Sequence, residues 1–295
     1  MEDAAVLFER LATRHHIAFD RGRVAQSKRV AQGEGPTLHV LDWSGPGDPV
    51  IFLHGGALSA HTWDLVCLDL SDRFHCVALD LRGHGESEWA DDYTIEANVA
   101  DVAAVTRCYG WQRAHIVGMS LGGACAAHYA AAYPQSVASL TAVDVGPHVN
   151  FVASSKMRAF LDEPLTGRTF ASLVDAALAI SKHPDRDKFE YRYRYLVRYD
   201  ESAGLEWRQD RRKPRDFAHI LAKLDELGEL AAGASYPALT VIGENSGVLG
   251  VDRAANYARR FARGTWISIP GAGHNVQEDN PKALAQALRT FFDTT

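Results

Sequence analysis

The sequence has little cysteine and no excess of basic residues. Its cysteines are Cys67, Cys76, Cys108 and Cys125, 4 among 295 residues, and without a C-x-x-C pair they exclude a disulfide framework. We expect buried thiols in a reducing cytoplasm. These cysteines and the 13 histidines show no ligand-like spacing, so no metal site is expected. The formal net charge of -6 argues against the basic surface of a nucleic-acid-binding protein.

Long hydrophobic runs are also missing. No stretch is long enough to span a membrane, and the first residues, MEDAAVLFER, begin with two acids instead of the basic region of a signal peptide. These absences predict a cytoplasmic protein whose partner is a small molecule. They leave the oligomeric state open between a monomer and a homodimer.

The apolar residues that are present fall into alternating strand-like and helix-like runs. Hydrophobic residues make up 46% of the chain, which suffices for one large core. Short buried runs separated by helical patterns are typical of right-handed βαβ crossovers in a parallel sheet. The clearest runs are 49–53, 74–79, 115–117 and 137–143. In such sheets, functional residues lie on loops beyond the carboxyl ends of the strands.

This alternation is interrupted once. Residues 148–233 contain several helical patterns and no strand-like run, which predicts a helical cap inserted into a core formed by residues 1–147 and 234–295. The strand pattern resumes at 237–242 and 265–269. Together with two N-terminal edge strands, this predicts an α/β fold with an eight-stranded, mostly parallel sheet flanked by helices.

The stretch from Ala114 to His128 predicts a strand, a sharp turn and a helix. Ser120 lies in the turn, inside the pattern Gly118-Met-Ser-Leu-Gly122. The glycines remove side chains that would clash where a strand reverses into a helix. Free N–H groups at the helix N-terminus stabilise negative charge on a reacting oxygen, so Ser120 is a candidate nucleophile. The alternative is a serine that only caps the helix.

Together with three further motifs, this stretch resembles the α/β-hydrolase fold family over nearly the whole chain. The motifs are His54-Gly-Gly after the third strand, Asp80-Leu-Arg-Gly-His-Gly-Glu-Ser, and Gly271-Ala-Gly-His274 after the last strand. The resemblance implies a serine nucleophile at Ser120 with His274 as its general base.

The resemblance also implies which groups stabilise the oxyanion. The backbone N–H of Leu121, the residue after the nucleophile, is one donor, and the N–H of Gly56 is the other. A glycine there lets the backbone approach substrate closely, although Ala57 is the donor if the turn is shifted by one residue. No cofactor is implied.

The catalytic acid is the point at which this sequence departs from the commoner family pattern. Many relatives carry an aspartate at the end of a G-x-x-D segment, which here is Gly243-Glu-Asn-Ser246. Other relatives carry the acid after the preceding strand, where this chain has Asp144. The resemblance therefore favours Asp144, with Glu244 and Asp252 as alternatives. Ser246 either supports the triad by a hydrogen bond or is a polar loop residue.

Two other aspartates are weaker candidates for the acid. We expect Asp80 to brace its turn through a local ion pair with Arg82. Asp101 falls within an amphipathic helical pattern, where a structural role is expected.

The predicted cap is rich in arginine and tyrosine between residues 186 and 215. One interpretation is a solvated helix face with ion pairs. The other is that one or two arginines face the active site and bind a substrate carboxylate bidentately. Arg158, which opens the cap not far from Asp144 in sequence, is the candidate for binding a carboxylate-bearing substrate.

These residues predict a cofactor-independent serine hydrolase that cleaves a small ester, amide or lactone through an acyl-enzyme. Relatives with the same triad and cap also hydrolyse carbon–carbon bonds in ring-cleavage products, or act as cofactor-free haloperoxidases or lyases, and the motifs do not separate these activities. A serine at position 120 counts against an epoxide hydrolase or dehalogenase, which would carry aspartate. A non-enzymatic small-molecule receptor is the third hypothesis, and only the missing acid at Ser246 supports it.

Overall fold

The computed structural model of the chain describes residues 2–150, 155–181, 184–200, 204–212 and 216–295, without the side chains of 155–158 and 217. The strands are β1 (Gln26–Val30), β2 (Leu38–Asp42), β3 (Pro49–Leu53), β4 (His75–Asp80), β5 (Ala114–Met119), β6 (Val137–Val143), β7 (Val197–Asp200), β8 (Gly204–Trp207), β9 (Ala238–Gly243) and β10 (Gly264–Ile269). The helices are α1 (Ala4–Arg14), α2 (Asp64–Leu70), α3 (Ile95–Cys108), α4 (Leu121–Ala132), α5 (Ser155–Asp162), α6 (Phe170–Ile180), α7 (Arg186–Leu196), α8 (Phe217–Ala232), α9 (Val251–Ala258), α10 (Val276–Asp279) and α11 (Pro281–Phe292).

The main sheet is eight-stranded, with the order β1-β2-β4-β3-β5-β6-β9-β10. β1 and β2 pair antiparallel with their neighbours, whereas every pair from β4 to β10 is parallel. The predicted α/β fold with a mostly parallel sheet is therefore confirmed. Because parallel strands end at one edge, the loops after β3, β5, β6, β9 and β10 lie at the same edge of the sheet.

Apolar side chains cover both faces of the sheet because successive residues of a strand point to opposite faces. Val50 and Phe52 of β3 belong to the cluster that includes α1, α2 and α11. Ile51 and Leu53 belong to the cluster that includes α3, α4 and α8. Burial on both faces explains why the strands appear in the sequence as continuous apolar runs.

The chain between β6 and β9 contains α5, α6, α7 and α8, as well as the hairpin β7–β8. Several of its side chains, including Phe189 and Tyr193, form a hydrophobic cluster of their own. The prediction that this segment lacks strands is wrong, since Val197 pairs with Trp207 in an antiparallel ladder. Branched and aromatic side chains favour a strand there, and Gly204, with φ 80°, allows a backbone conformation that other residues disfavour.

The cysteines depart from expectation at one position. Cys67, Cys76 and Cys125 are buried, but Cys108 is exposed. Cys108 is the last residue of α3.

Among the residues that the structure describes, no helix combines the length and the apolar character needed to cross a bilayer.

Candidate active site

The turn between β5 and α4 holds Ser120 in a strained backbone conformation. Its φ of 51° and ψ of -117° lie outside the regions that non-glycine residues favour. The flanking glycines are required by close packing. A Cβ on Gly118 would lie 2.2 Å from the carbonyl oxygen of Gly122, and a Cβ on Gly122 would lie 2.3 Å from that of Leu53. No larger residue fits at either glycine, so the local sequence forces the sharp turn.

A buried carboxylate and a partly exposed imidazole meet beside this turn. Asp144 follows β6 directly and has φ 50°, and β6 is the neighbour of β5 in the sheet. The Asp144 Oδ2 atom lies 2.6 Å from Nδ1 of His274, which belongs to the loop between β10 and α10. The aspartate side chain is 0% exposed and the histidine side chain 28% exposed. The carboxylate is thus sealed from solvent while the imidazole remains accessible.

Ser246 occupies the position where the commoner family pattern has aspartate. Its hydroxyl donates a 2.5 Å hydrogen bond to Oδ2 of Asp144 and accepts one from the Val248 N–H at 3.1 Å. The neighbouring Glu244 is exposed and accepts a 2.8 Å hydrogen bond from the Gly271 N–H. Ser246 therefore contacts the candidate acid, whereas Glu244 is hydrogen-bonded to the loop that precedes His274.

The other acid alternatives lie away from His274 or have different partners. Asp252 is exposed in the first turn of α9. The expected ion pair between Asp80 and Arg82 is not formed, because Arg82 donates two 2.7 Å hydrogen bonds to Asp101 instead. Asp80 accepts the backbone N–H groups of Ala60 and Glu86, so it braces two loops through backbone hydrogen bonds.

The loop after β3 lies against the nucleophile turn. A Cβ on Gly55 would lie 3.4 Å from Cβ of Ser120. The Gly55 carbonyl accepts hydrogen bonds from the Leu58 N–H and from Nδ1 of His54 at 2.8 Å. In a trans peptide the next N–H points the opposite way, so this carbonyl fixes the direction of the Gly56 N–H. Among the hydrogen bonds of the described residues, none uses the N–H of Gly56 or Leu121.

Ser120 and His274 line one cavity of about 100 Å³. Its described lining includes Gly56, Ser120, His274 and Asn275 from the core, and residues of α5 and α7 from the segment between β6 and β9. The latter are Leu161, Arg192, Tyr193 and Leu196. Burial raises the pKa of Tyr193 to about 12, which keeps its phenol neutral at physiological pH.

Arg192 of α7 is a cavity residue that the sequence did not single out individually. Its side chain is 8% exposed, and it forms an ion pair with Glu278 of α10, with Nε 3.1 Å from Oε1. One helical turn earlier, Lys188 lies 2.6 Å from Asp279, whose other oxygen accepts the Gly273 N–H beside His274. The sequence does show two basic residues spaced i, i+4 on α7, which places them on one face of the helix. That spacing does not identify their acidic partners, Asp279 and Glu278.

Three other arginines of the segment between β6 and β9 have acidic partners. Arg186, Arg198 and Arg208 form ion pairs with acidic residues, which agrees with the interpretation of a solvated face. The Arg158 side chain lies outside the described residues, and its predicted role stays a prediction.

A larger groove of about 740 Å³ lies between β10 and α11. No histidine, cysteine or acidic side chain is among its lining residues. It therefore offers no group for acid–base chemistry, in contrast to the cavity at Ser120.

Comparison with known proteins identifies relatives along nearly the whole chain. The family model of the α/β-hydrolase fold matches residues 48–281. Esterase Rv0045c of Mycobacterium tuberculosis is 33% identical over 97% of this chain and 96% of that protein. The 2-(acetamidomethylene)succinate hydrolase of Mesorhizobium japonicum is 28% identical over 90% of this chain and 95% of that protein. The crystal structure of esterase Rv0045c matches with a TM-score of 0.78 at 29% identity, covering 99% of this chain and 98% of that one.

Proposed function

Because this chain belongs to the α/β-hydrolase fold family and is a hydrolase, we propose that it is a serine esterase that cleaves a small carboxylic ester through an acyl-enzyme on Ser120. One contact carries the proposal, the 2.6 Å distance between Nδ1 of His274 and Oδ2 of Asp144. It engages one imidazole nitrogen and leaves Nε2 for the Ser120 hydroxyl in the same cavity. Esterase activity in a relative of similar length supports an ester over an amide or a lactone.

The acylation step uses the three side chains together. Nε2 of His274 takes the proton of Ser120 as Oγ attacks the ester carbonyl carbon, and the buried Asp144 carboxylate stabilises the imidazolium. The N–H groups of Gly56 and Leu121 stabilise the negative oxygen of the tetrahedral intermediate. His274 then gives the proton to the departing alkoxide, which leaves as the alcohol, and the acyl group remains on Ser120.

Deacylation repeats these steps with water as the nucleophile. His274 removes a proton from the water, the resulting oxygen attacks the acyl carbon, and Ser120 Oγ leaves with the proton returned by His274. The product is a carboxylic acid. No cofactor takes part in either half of this reaction.

Residues 148–233 act as the cap over this reaction. Leu161 and Leu196 border the cavity that contains Ser120, and apolar walls exclude water from the acyl group and strengthen the hydrogen bonds to the oxyanion. We propose ester hydrolysis over the ring-cleavage, haloperoxidase, lyase and receptor alternatives because a relative of similar length, 33% identical to this chain, is an esterase.

The test removes the nucleophile. Ser120→Ala should abolish labelling by a fluorophosphonate probe, detected by mass spectrometry, and should lower kcat on short p-nitrophenyl esters by about 10⁶-fold, the scale of nucleophile loss in serine hydrolases. Ser136→Ala, which changes a serine outside the cavity lining, is the matched control and should keep both properties. Undiminished labelling of Ser120→Ala would contradict the proposal, as would turnover of amides or dienone acids but not of esters.

A further inference from the structure

The cavity at Ser120 contains one permanently charged side chain among its described lining residues, the guanidinium of Arg192. Apolar side chains of the same lining include Leu58, Met119 and Leu196. A charge in such surroundings is unusual unless it is paired or binds a ligand.

Arg192 has unused hydrogen-bond donors. A guanidinium carries five N–H groups, and Arg192 directs Nε and Nη2 to the two carboxylate oxygens of Glu278. No hydrogen bond of Nη1 is found among the described residues. Nη1 is also not one of the fully enclosed polar atoms that lack a partner. Because Arg192 lines the cavity and is 8% exposed, Nη1 is the nitrogen available to a bound molecule.

The pairing with Glu278 decides what kind of molecule suits this donor. Glu278 is held by Arg192 and by a 2.9 Å hydrogen bond from the Thr62 hydroxyl, and Gln277 donates to that hydroxyl in turn. The positive charge is therefore already balanced by a carboxylate that its partners fix in place. A second carboxylate would leave a net negative charge in a mostly apolar pocket, which is costly. A neutral oxygen would gain a charge-assisted hydrogen bond without that cost.

We propose that Arg192 is a specificity residue whose Nη1 binds a neutral acceptor oxygen, such as a keto, ester or amide carbonyl, on the acyl chain of the substrate. This inference rests on the proposed function, since the acyl chain is the one that Ser120 attacks. The cavity of about 100 Å³ suits a short chain. Its apolar walls suit the methylene groups between the reacting carbonyl and the acceptor oxygen.

The experiment compares three p-nitrophenyl esters of nearly equal length: pentanoate, 4-oxopentanoate and hemisuccinate. In the parent protein, kcat/KM should be about tenfold higher for the 4-oxopentanoate than for the pentanoate, the scale of one charge-assisted hydrogen bond. The hemisuccinate, which offers a carboxylate at the same position, should be a poorer substrate than the 4-oxopentanoate. This measurement needs no substitution, so it does not depend on the folding of a variant.

Arg192→Lys then tests the residue. Lysine keeps a cation opposite Glu278 but lacks Nη1, so the ratio of kcat/KM for 4-oxopentanoate to that for pentanoate should fall about tenfold. Arg186→Lys is the matched control, because Arg186 lies on the same helix and its side chain is 54% exposed. Its ratio should equal that of the parent.

Two outcomes would overturn the inference: a parent that does not prefer the 4-oxo ester or prefers the hemisuccinate, and an Arg192→Lys variant that slows both neutral esters equally. Either result leaves the serine esterase mechanism standing, provided that Ser120→Ala is inactive. Activity that persists in Ser120→Ala would instead remove the proposed function.

Discussion

Two aspartates, each in contact with a histidine, follow strands at the same edge of the sheet. Asp80 ends β4 and lies 2.7 Å from Nδ1 of His39, and Asp144 follows β6 and lies 2.6 Å from Nδ1 of His274. Both carboxylates are essentially buried, at 1% and 0% exposure. The distance and the burial do not separate the two pairs, so the difference must lie in the remaining contacts.

The Asp80 pair has its hydrogen bonds satisfied on every side. Oδ1 accepts the Ala60 N–H at 2.6 Å, Oδ2 accepts the Glu86 N–H at 2.9 Å, and Nε2 of His39 bonds to the Ser27 hydroxyl. Burial alone raises the pKa of Asp80, but the hydrogen bond from His39, the positive charge of His54 and His39 and the hydrogen bond from Glu86 outweigh it and lower the pKa to about 2. Such a pair holds loops together and has no nitrogen left for a substrate.

The pair of Asp144 and His274 makes fewer hydrogen bonds. Oδ2 accepts the Ser246 hydroxyl and His274, whereas Oδ1 has no hydrogen-bond partner among the described residues. His274 borders the cavity together with Ser120. A carboxylate that accepts fewer hydrogen bonds is stabilised more strongly when the neighbouring imidazole becomes an imidazolium. Incomplete pairing, more than proximity, therefore distinguishes the pair that we propose for proton transfer from the pair that holds loops together.

The largest expected effect separates the two aspartates by activity. Asp144→Asn should lower kcat by about 10⁴-fold, because an amide neither stabilises the imidazolium nor holds the required tautomer of His274. The free energy of unfolding should change little. Steady-state kinetics on short esters and chemical denaturation of the same preparation measure both. An Asp144→Asn variant with near-parent activity, alongside an inactive Asp252→Asn, would assign the acid to the start of α9.

The reverse result is expected at Asp80. Asp80→Asn places an amide NH₂ against backbone N–H donors, which should lower the free energy of unfolding by about 3 kcal/mol while kcat stays within about threefold of the parent. Chemical denaturation at pH 7 and ester kinetics give the two values. A loss of activity comparable to that of Asp144→Asn, in protein that remains folded, would contradict the division of roles.

The pH dependence of stability sharpens the same prediction. Because the folded-state pKa of Asp80 is below the ordinary value of 3.8, its carboxylate stabilises the fold above pH 4, and this contribution is lost as the pH falls towards 2. The difference between 3.8 and about 2 corresponds to about 2 kcal/mol. Denaturation between pH 4 and 2 should show this loss in the parent, and Asp80→Asn should lack that part of it.

The smallest expected effect concerns the support of Asp144. Ser246→Ala removes one hydrogen bond to the carboxylate and should lower kcat about tenfold. Glu244→Gln is the control on the same loop, since an amide oxygen can still accept the Gly271 N–H, and its kcat should stay within about twofold of the parent. A change of less than twofold in Ser246→Ala would make Ser246 a polar loop residue only.

The succession of strands and helices and the Ser120 turn were predictable from the sequence because their causes are local. Continuous apolar runs bury both faces of a strand, and the glycines around Ser120 are needed where the chain reverses within five residues. The prediction that residues 148–233 lack strands was wrong for the same kind of reason, since the residues after Leu196 favour a strand locally.

Side-chain partners far apart in the chain could not be predicted in this way. Arg192 and Glu278 are separated by 86 positions, and their pairing depends on how α7 packs over α10. The sequence also does not indicate that Arg82 pairs with Asp101 and not with Asp80. Both pairings depend on where the helices lie in the folded chain.

The sequence by itself therefore determined the fold, the strained serine and the family motifs around it, because steric and hydrophobic constraints act between near neighbours along the chain. Only the tertiary structure decided which carboxylate meets His274, 130 positions from Asp144, and which arginine borders the cavity. The physical reason is that hydrogen bonds and ion pairs fall off steeply with distance, so the final packing of whole elements selects among chemically equivalent partners.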